Sequence, residues 1–378
     1  MKIAFYAPLK SPRHPQPSGD RRVARLISAA LEEAGFDVEL ASELRTFDRQ
    51  GDGAFQQAIR EKSRIEAERL IARWSGAGAA DRPGAWFTYH LYHKAPDWIG
   101  PAVAAALDIP YLVAEASDAP KQENGPWHLN YEAARSALLQ ASRVFHMTRH
   151  DRACLEPVVG ADAGKLVFLP PFLGTETGDE GGPDLQRDGV KPAAGRFDPA
   201  RKTLLSVAMM RPGDKMVSYQ QLAESLQLLD RTDWQILIIG DGEKEQEVRT
   251  LFEPVRDHVV WIGKVERNLS AWYRLADLYV WPAHGEAYGM AFLEAQRQGL
   301  PVVAGAIRGV PDVVKGGETG LLTPPGDLPA FAAAISRMLS DDALRTRMGQ
   351  AARRFVREER TIQQAAYLLK TEITEVLS

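Results

Sequence analysis

Cysteine is nearly absent. Cys154 stands alone in 378 residues, which excludes an intramolecular disulfide and a cysteine-built metal cluster. A lone thiol is a nucleophile only beside a base that activates it; otherwise it is a small buried apolar residue. Neither sign of charge is in excess. Lys and Arg number 46 against 50 Asp and Glu, a net charge of −4, so no whole-molecule attraction to nucleic acid or anionic lipid is expected. Long apolar runs are missing: none approaches the roughly 18–20 residues that span a bilayer. The apolar opening Ile3-Ala4-Phe5-Tyr6-Ala7 is cut by Pro8, too short for the apolar core of a signal peptide. A cytoplasmic protein is expected. There is also no Asp-x-Asp pair, no His/Cys/Asp cluster at metal-ligand spacing and no nucleophile-elbow serine, so neither a bound metal nor a serine hydrolase is indicated.

What is present is an ordinary soluble composition, 45% hydrophobic and 25% charged, in a chain long enough for two cores. Short apolar runs at 2–6, 37–40, 86–90, 111–114, 144–146 and 166–169 alternate with amphipathic segments at 21–34, 55–74, 102–107 and 131–141. The pattern restarts with strands at 204–207, 235–239, 259–262, 278–281 and 302–304. Its helices are expected at 219–229, 243–252, 269–276, 290–298, 330–339 and 344–355. Ser218 with Gln221 reads as a capping box for the first of these helices. Strand–helix alternation argues a parallel sheet covered on both faces. The expected fold is α/β, two doubly wound Rossmann-like domains facing each other across a cleft at the carboxyl ends of their sheets. The boundaries read as an N-terminal domain over 1–173, a polar linker or loop over 174–200 and a C-terminal domain over 201–361, with a last helix from 362 packing back on the first domain.

The most informative stretch is His284-Gly285-Glu286-Ala287-Tyr288-Gly289-Met290-Ala291-Phe292-Leu293-Glu294. It leads from the strand-like Leu278-Tyr279-Val280-Trp281 through a turn of small residues into a helix. Unpaired N–H groups and a positive dipole end at such a junction suit a diphosphate. Carboxylates accept hydrogen bonds from hydroxyls, so Glu286 in the loop and Glu294 within the helix can address two parts of one elongated ligand. A helix cap and a surface acid are the plainer readings of the same two residues. Two further motifs accompany it: Leu237-Ile238-Ile239-Gly240-Asp241-Gly242-Glu243, and Gly309-Val310-Pro311-Asp312-Val313-Val314 with Gly320-Leu321-Leu322-Thr323-Pro324-Pro325-Gly326-Asp327. Gly240-Asp241-Gly242 alone half matches a dinucleotide fingerprint, lacks its third glycine, and reads better as a tight turn.

In their order along the chain the three motifs resemble those of the family 4 glycosyltransferases, retaining enzymes of the GT-B fold that use nucleotide-sugar donors. The likeness covers roughly residues 203–330. It implies that Glu286 contacts the donor sugar, that Glu294 binds ribose, and that Tyr288, Gly289, Met290 and Ala291 meet the sugar and diphosphate. It also implies that Arg211 and Lys215 stabilise the leaving diphosphate, where fixed cations act most strongly in the transition state. A solvated basic turn is the alternative, and Arg-Pro-Gly-Asp-Lys is one residue shorter than the family's usual spacing. No cofactor is implied, and the cations without Asp-x-Asp favour a metal-independent reaction.

On the acceptor or sugar side, Gly19 lies in the small-residue loop Pro17-Ser18-Gly19-Asp20, and His90 and His93 follow a strand end. Glu115 stands where many family members carry a histidine. The expected partners are a nucleotide-sugar donor and a glycan or lipid-linked acceptor, with no nucleic acid and with peripheral contact to the inner membrane face left open. The mixed charges of 55–74 read as a solvated helix rather than a membrane-surface one. Trp86, Trp98, Trp127, Tyr89, Tyr92 and Tyr131 read mainly as core, with stacking on a sugar the alternative. Two other functions compete: a non-catalytic nucleotide-sugar-binding protein of the same fold, and a nicotinamide-dependent oxidoreductase that would use Gly240-Asp241-Gly242.

Overall fold

The computed structural model describes residues 1–16, 18–78, 80–160, 164–175 and 197–378. The chain forms two compact units, one of Met1–Pro170 with Ile362–Ser378 and one of Pro171–Thr361. Most of the polar stretch read as a linker lies outside the described residues.

The first unit is built on six parallel strands: β1 (Lys2–Tyr6), β2 (Asp37–Ser42), β3 (Ala85–Leu91), β4 (Tyr111–Ala116), β5 (Arg143–His146) and β6 (Leu166–Phe168), in the order β2-β1-β3-β4-β5-β6. Strands covered on both faces lose the inside–outside alternation and become continuously apolar. Ile3, Ala4, Phe5 and Tyr6 accordingly are all buried. Phe5, Phe87 and Phe145 stack across the sheet with ring centroids 6.0 and 5.8 Å apart. Helix α1 (Gly19–Glu33) starts where Ser18 accepts a hydrogen bond from the Arg21 N–H, a standard N-cap. It buries Val23, Ala24, Ile27, Ala30 and Leu31 along one stripe.

Helices α2 (Gly53–Ser75), α3 (Gly100–Leu107) and α4 (His128–Gln140) follow. Next comes α5 (Arg149–Val159), which the sequence pattern does not announce. Pro157 and the charged start Arg149-His150-Asp151-Arg152 hide it. Thr148 nevertheless caps it, accepting from the Asp151 N–H at 3.0 Å.

The second unit repeats the plan with β7 (Lys202–Val207), β8 (Trp234–Ile239), β9 (Val259–Gly263), β10 (Leu278–Trp281), β11 (Val302–Gly305) and β12 (Gly320–Thr323), ordered β12-β11-β10-β7-β8-β9. Its helices are α6 (Asp214–Gln227), α7 (Glu245–Leu251), α8 (Leu269–Leu275), α9 (Met290–Arg297), α10 (Val310–Val313), α11 (Leu328–Ser340) and α12 (Asp342–Glu359). β12 is a strand that was read only as part of a motif.

The capping box at Ser218 is overturned. α6 begins at Asp214, after Gly213 in left-handed backbone. Ser218 is buried inside the helix and donates its hydroxyl to the Asp214 carbonyl at 2.9 Å. A glycine able to take φ 81° ends the loop early, and the acidic first turn favours the helix dipole.

The last helix, α13 (Ile362–Leu377), belongs to the first unit, where it packs on α1. Arg143 reaches Glu372 at 3.0 Å. No helix among the described residues is long and apolar enough to cross a membrane.

Each sheet has one switch point, where successive connections leave in opposite directions. It lies between β1 and β3 in the first unit and between β7 and β10 in the second. Open α/β sheets take ligands in the crevice outside the carboxyl ends of such neighbouring strands.

Candidate active site

In the second unit the loops after β7 and β10 carry the cations and the first carboxylate. Lys215 lies in the first turn of α6, and its Nζ is 2.5 Å from Glu286 Oε2, with side chains 30% and 21% exposed. The same ammonium sits 5.4 Å from the centre of the Trp281 ring, a placement that holds a cation on the face of an indole. Arg211 is exposed one turn earlier and forms no ion pair among the described residues.

The loop that presents Glu286 is tightly constrained. Ala283 and Gly285 both have φ 65°, and the Glu286 N–H closes a turn on the Ala283 carbonyl at 3.0 Å. A Cβ at Gly285 would fall 2.2 Å from the Asp214 carboxylate. Arg308 donates to the Gly285 carbonyl at 3.0 Å. His284 lies 3.9 Å from Asp214.

Gly289, with φ 79°, precedes α9 and offers no side-chain cap. The first N–H groups of α9, at Met290 and Ala291, therefore have the character of an anion-binding helix end. A Cβ at Gly289 would stand 2.6 Å from the Phe292 ring, so the close turn excludes other residues. Tyr288 is buried. Glu294, inside α9, accepts a hydrogen bond from the Tyr273 hydroxyl at 2.9 Å.

Gly240 and Gly242 serve packing. A Cβ would fall 1.9 Å from the Ala208 carbonyl oxygen at the first and 2.3 Å from that of Met210 at the second. Backbone bonds from Met210 to Asp241 and from Lys244 to Met210 complete the contact. The tight turn thus braces the strand-end loop that carries Arg211, which accounts for both glycines without a dinucleotide.

In the first unit the structure joins His90 and Glu115, which end adjacent strands. Asp20, in the first turn of α1, lies 3.4 Å from His90 Nδ1. Burial alone would lower the His90 pKa, but Glu115, Asp20 and Asp151 outweigh it and raise the value. Burial raises the Glu115 carboxyl, with Asp20 and Asp151 adding to it against the opposing pull of His90 and a hydrogen bond from Tyr89. Burial would raise Asp20 too, yet the nearby His90 ring holds it below the usual range.

His93 stands apart from this group. Burial, Lys94 and Lys121 push it down to about 4, and its ring meets Trp127 edge-on at 5.7 Å. Gly19 opens α1 with free space where a Cβ would stand, so packing does not demand a glycine there.

Sequence reasoning passed over Asp20, Asp151, Asp214, Tyr273 and Trp281. Only Asp20 carried a local signal, as the acid after a Ser–Gly helix start. Cys154 is half-buried with its thiol pushed up by burial, the opposite of activation. Trp86, Tyr89 and Tyr131 are core residues.

Arg64 pairs with Glu61 and Glu68, and Arg69 pairs with Glu66, as a solvated α2 would have it. Hollows of about 440 and 560 Å³ flank Arg60 and Trp98 among α2, α3 and α4. None of the expected site residues lines them, and the convergence of charge at the strand ends is the stronger pointer to chemistry. Among the described residues, no three His, Cys, Asp or Glu side chains gather as a metal-binding group.

Residues 192–355 match the family model described as glycosyl transferases group 1. The chain is 33% identical over 234 residues to a phosphatidyl-myo-inositol mannosyltransferase of Mycobacterium leprae, covering 61% of this chain and 56% of that protein. It is 30% identical over 220 residues to a D-inositol 3-phosphate glycosyltransferase of Xylanimonas cellulosilytica, covering 54% and 50%. An exopolysaccharide phosphotransferase of Streptomyces coelicolor is 29% identical over 239 residues, 61% of this chain and 24% of that one. The chain thus spans from a quarter to just over half of the length of these relatives.

Among solved structures, a glycosyltransferase from Rickettsia africae superposes with a TM-score of 0.74 at 15% identity, over 100% of this chain and 98% of that one. A sucrose-phosphate synthase from Thermosynechococcus elongatus gives 0.71 at 20%, over 99% and 98%. The Anabaena protein HepE in complex with UDP gives 0.71 at 14%, over 99% and 100%. At such identities the likeness shows the fold alone, the two-unit α/β architecture of the GT-B glycosyltransferases.

Proposed function

We propose, for a chain whose residues 192–355 match the group 1 glycosyl transferases, that it moves a sugar with retention of configuration from a nucleoside-diphosphate-sugar to a hydroxyl acceptor in glycan, polysaccharide or glycolipid synthesis. The observation that carries the reading is the Lys215–Glu286 pair at 2.5 Å, set at the switch point of the second sheet beside the uncapped start of α9.

In this reading the diphosphate takes Lys215, Arg211 and the Met290 and Ala291 N–H groups. Glu286, released from Lys215, accepts from a hydroxyl of the donor sugar, and Glu294, steadied by Tyr273, accepts from the ribose. As the bond from the anomeric carbon to the diphosphate breaks, negative charge grows on the leaving oxygen. Cations fixed beforehand stabilise that state more than the ground state. The acceptor hydroxyl attacks the same face, and a leaving phosphate oxygen takes its proton. Two protein cations at the diphosphate favour a reaction that needs no metal. A nicotinamide-dependent reaction has no support from Gly240 and Gly242, whose missing side chains are explained by packing.

The test is thermal stability against UDP-, GDP- and ADP-sugars and NAD(H), without added metal, for the wild type, Glu294→Gln and Arg211→Ala. Selective stabilisation by one nucleotide-sugar, lost in both variants, is expected. A shift with NAD(H) alone, or with none of them, overturns the reading. NMR of the product's anomeric proton tests retention, and an inverted product refutes it.

A further inference from the structure

The carboxyl edge of the first sheet holds ionisable side chains that the donor half of this reaction leaves unused. In the β3–β4 register Tyr89 pairs with Ala114 and Leu91 with Ala116. The two residues between, His90 and Glu115, stand side by side in left-handed backbone at φ 64° and 53°. Neither is glycine, and a non-glycine residue held there is strained. Strain at two facing positions fixes the imidazole and the carboxylate at the strand ends. Asp20 reaches His90 from α1, and the charge of Asp151, in the first turn of α5, acts on both His90 and Glu115. Glu115 Oε2 is shut off from solvent and meets no hydrogen-bond donor.

The cations nearby are turned to other work. Arg21 donates to the carbonyls of His14 and Pro15, Arg25 to that of Pro12 and Arg45 to that of Leu9. Lys94 lies 4.8 Å over the Trp127 ring. The charge of Lys10 reaches Asp20 and offsets part of the acidity. Among the described residues, Asp20, Glu115 and Asp151 outnumber the Lys10 ammonium in acting on this group, which leaves it acidic.

Resting on the transfer reading, we propose that His90, Glu115 and Asp20 recognise the acceptor through uncharged hydroxyls and discriminate against a phosphate ester at that position. The His90 ring donates a hydrogen bond to a hydroxyl oxygen, and a carboxylate accepts from a hydroxyl without cost in charge. A phosphate placed among the same carboxylates meets like charge, which costs affinity. The acceptor class would then differ from the phosphorylated one in the name of the D-inositol 3-phosphate glycosyltransferase relative.

The experiment follows the ¹⁵N-imidazole signals of the full chain by NMR during titration with myo-inositol and glucose, and in parallel with their monophosphates. The uncharged polyols are expected to move the His90 signal saturably, and the phosphates to bind at least about tenfold more weakly. The double variant Asp20→Asn with Asp151→Asn, checked for an unchanged melting temperature, should narrow that gap. Equal or tighter binding of the phosphates, or no saturable shift with the polyols up to their solubility limit, overturns the proposal. The His90 signal needs no donor. A chain that ignores every nucleotide-sugar yet binds polyols at His90 would refute transfer and keep this site.

Discussion

Two substitutions should move the affinity for a free nucleoside diphosphate in opposite directions. Glu286 competes with an incoming diphosphate for the charge of Lys215, so binding works against a pair 2.5 Å long. A charge-assisted hydrogen bond contributes about 1.5–3 kcal/mol when screened from water. With side chains 30% and 21% exposed, solvent screening brings this toward about 1 kcal/mol. Glu286→Gln removes the competing charge and keeps the shape. The diphosphate should then bind about fivefold more tightly, as about 1 kcal/mol converts. Lys215→Ala removes the contact itself and should weaken binding roughly 10- to 100-fold.

In the proposed transfer, Glu286→Gln loses the carboxylate on the donor sugar and Lys215→Ala the cation on the leaving diphosphate, so turnover should fall in both variants. Isothermal titration with UDP, GDP and ADP reads the affinities, and release of nucleoside diphosphate from the matching nucleotide-sugar reads turnover. A loss of diphosphate affinity in Glu286→Gln, or no change beyond twofold in either variant, would refute the idea that the pair opens to receive the phosphates.

Arg211→Ala should leave the melting temperature nearly unchanged, since the side chain is exposed and unpaired among the described residues, with stability within about ±0.5 kcal/mol. Its diphosphate affinity should still drop about tenfold by titration. Tyr273→Phe takes away the hydroxyl on Glu294; about 1 kcal/mol of stability and a several-fold smaller affinity loss than in Glu294→Gln are expected. Gly289→Ala combines φ 79° with a Cβ 2.6 Å from the Phe292 ring. Thermal unfolding should show a loss of about 1–3 kcal/mol.

The histidines offer a pH test. His90 has a folded pKa above 6.5, so the stability it contributes is complete below the unfolded value and is lost as pH rises through the folded one. NMR titration should place His90 above 6.5 and His93 near 4. A His93 that titrates above His90 would invalidate the charge picture.

Much of the architecture was readable because parallel strands buried on both faces become short unbroken apolar runs, as in Leu237-Ile238-Ile239. The exceptions have local causes. Gly320-Leu321-Leu322-Thr323 is a short edge strand with only partial burial of its two leucines. α5 carries a proline and a charged first turn, so its periodicity is broken. α6 starts at Asp214, five residues before the expected start at Tyr219, because Gly213 turns the chain early. The candidate residues were legible one by one, from glycine turns and strand ends, but their partners were not. Lys215 and Glu286 are 71 positions apart, Tyr273 and Glu294 are 21 apart, and His90 meets Asp20 from a different element. Such pairings are set by strand order, which no local pattern encodes.

Strand order also bears on the proposal that the two units take different ligands. In the second unit the strands flanking the switch point, β7 and β10, lead to Lys215 and Glu286. In the first unit β1 leads to α1 and Asp20, while β3 carries His90 next to its last residue. Each unit therefore sets an acid against a nitrogen base at its own crevice, but the supporting charges differ. Around Lys215 stand the exposed Arg211 and the bare N-terminus of α9, and the balance there favours an anion once Glu286 swings away. Around His90 stand Glu115 and Asp151, with α1 already capped by Ser18 and α5 by Thr148. Those helix ends are spent on their own hydroxyls, so their positive poles are less open to a phosphate. On the proposed reading, one connection rule applied twice yields a crevice for an anion in one unit and a crevice for hydroxyls in the other, the two chemistries that a transfer from a diphosphate to a hydroxyl requires.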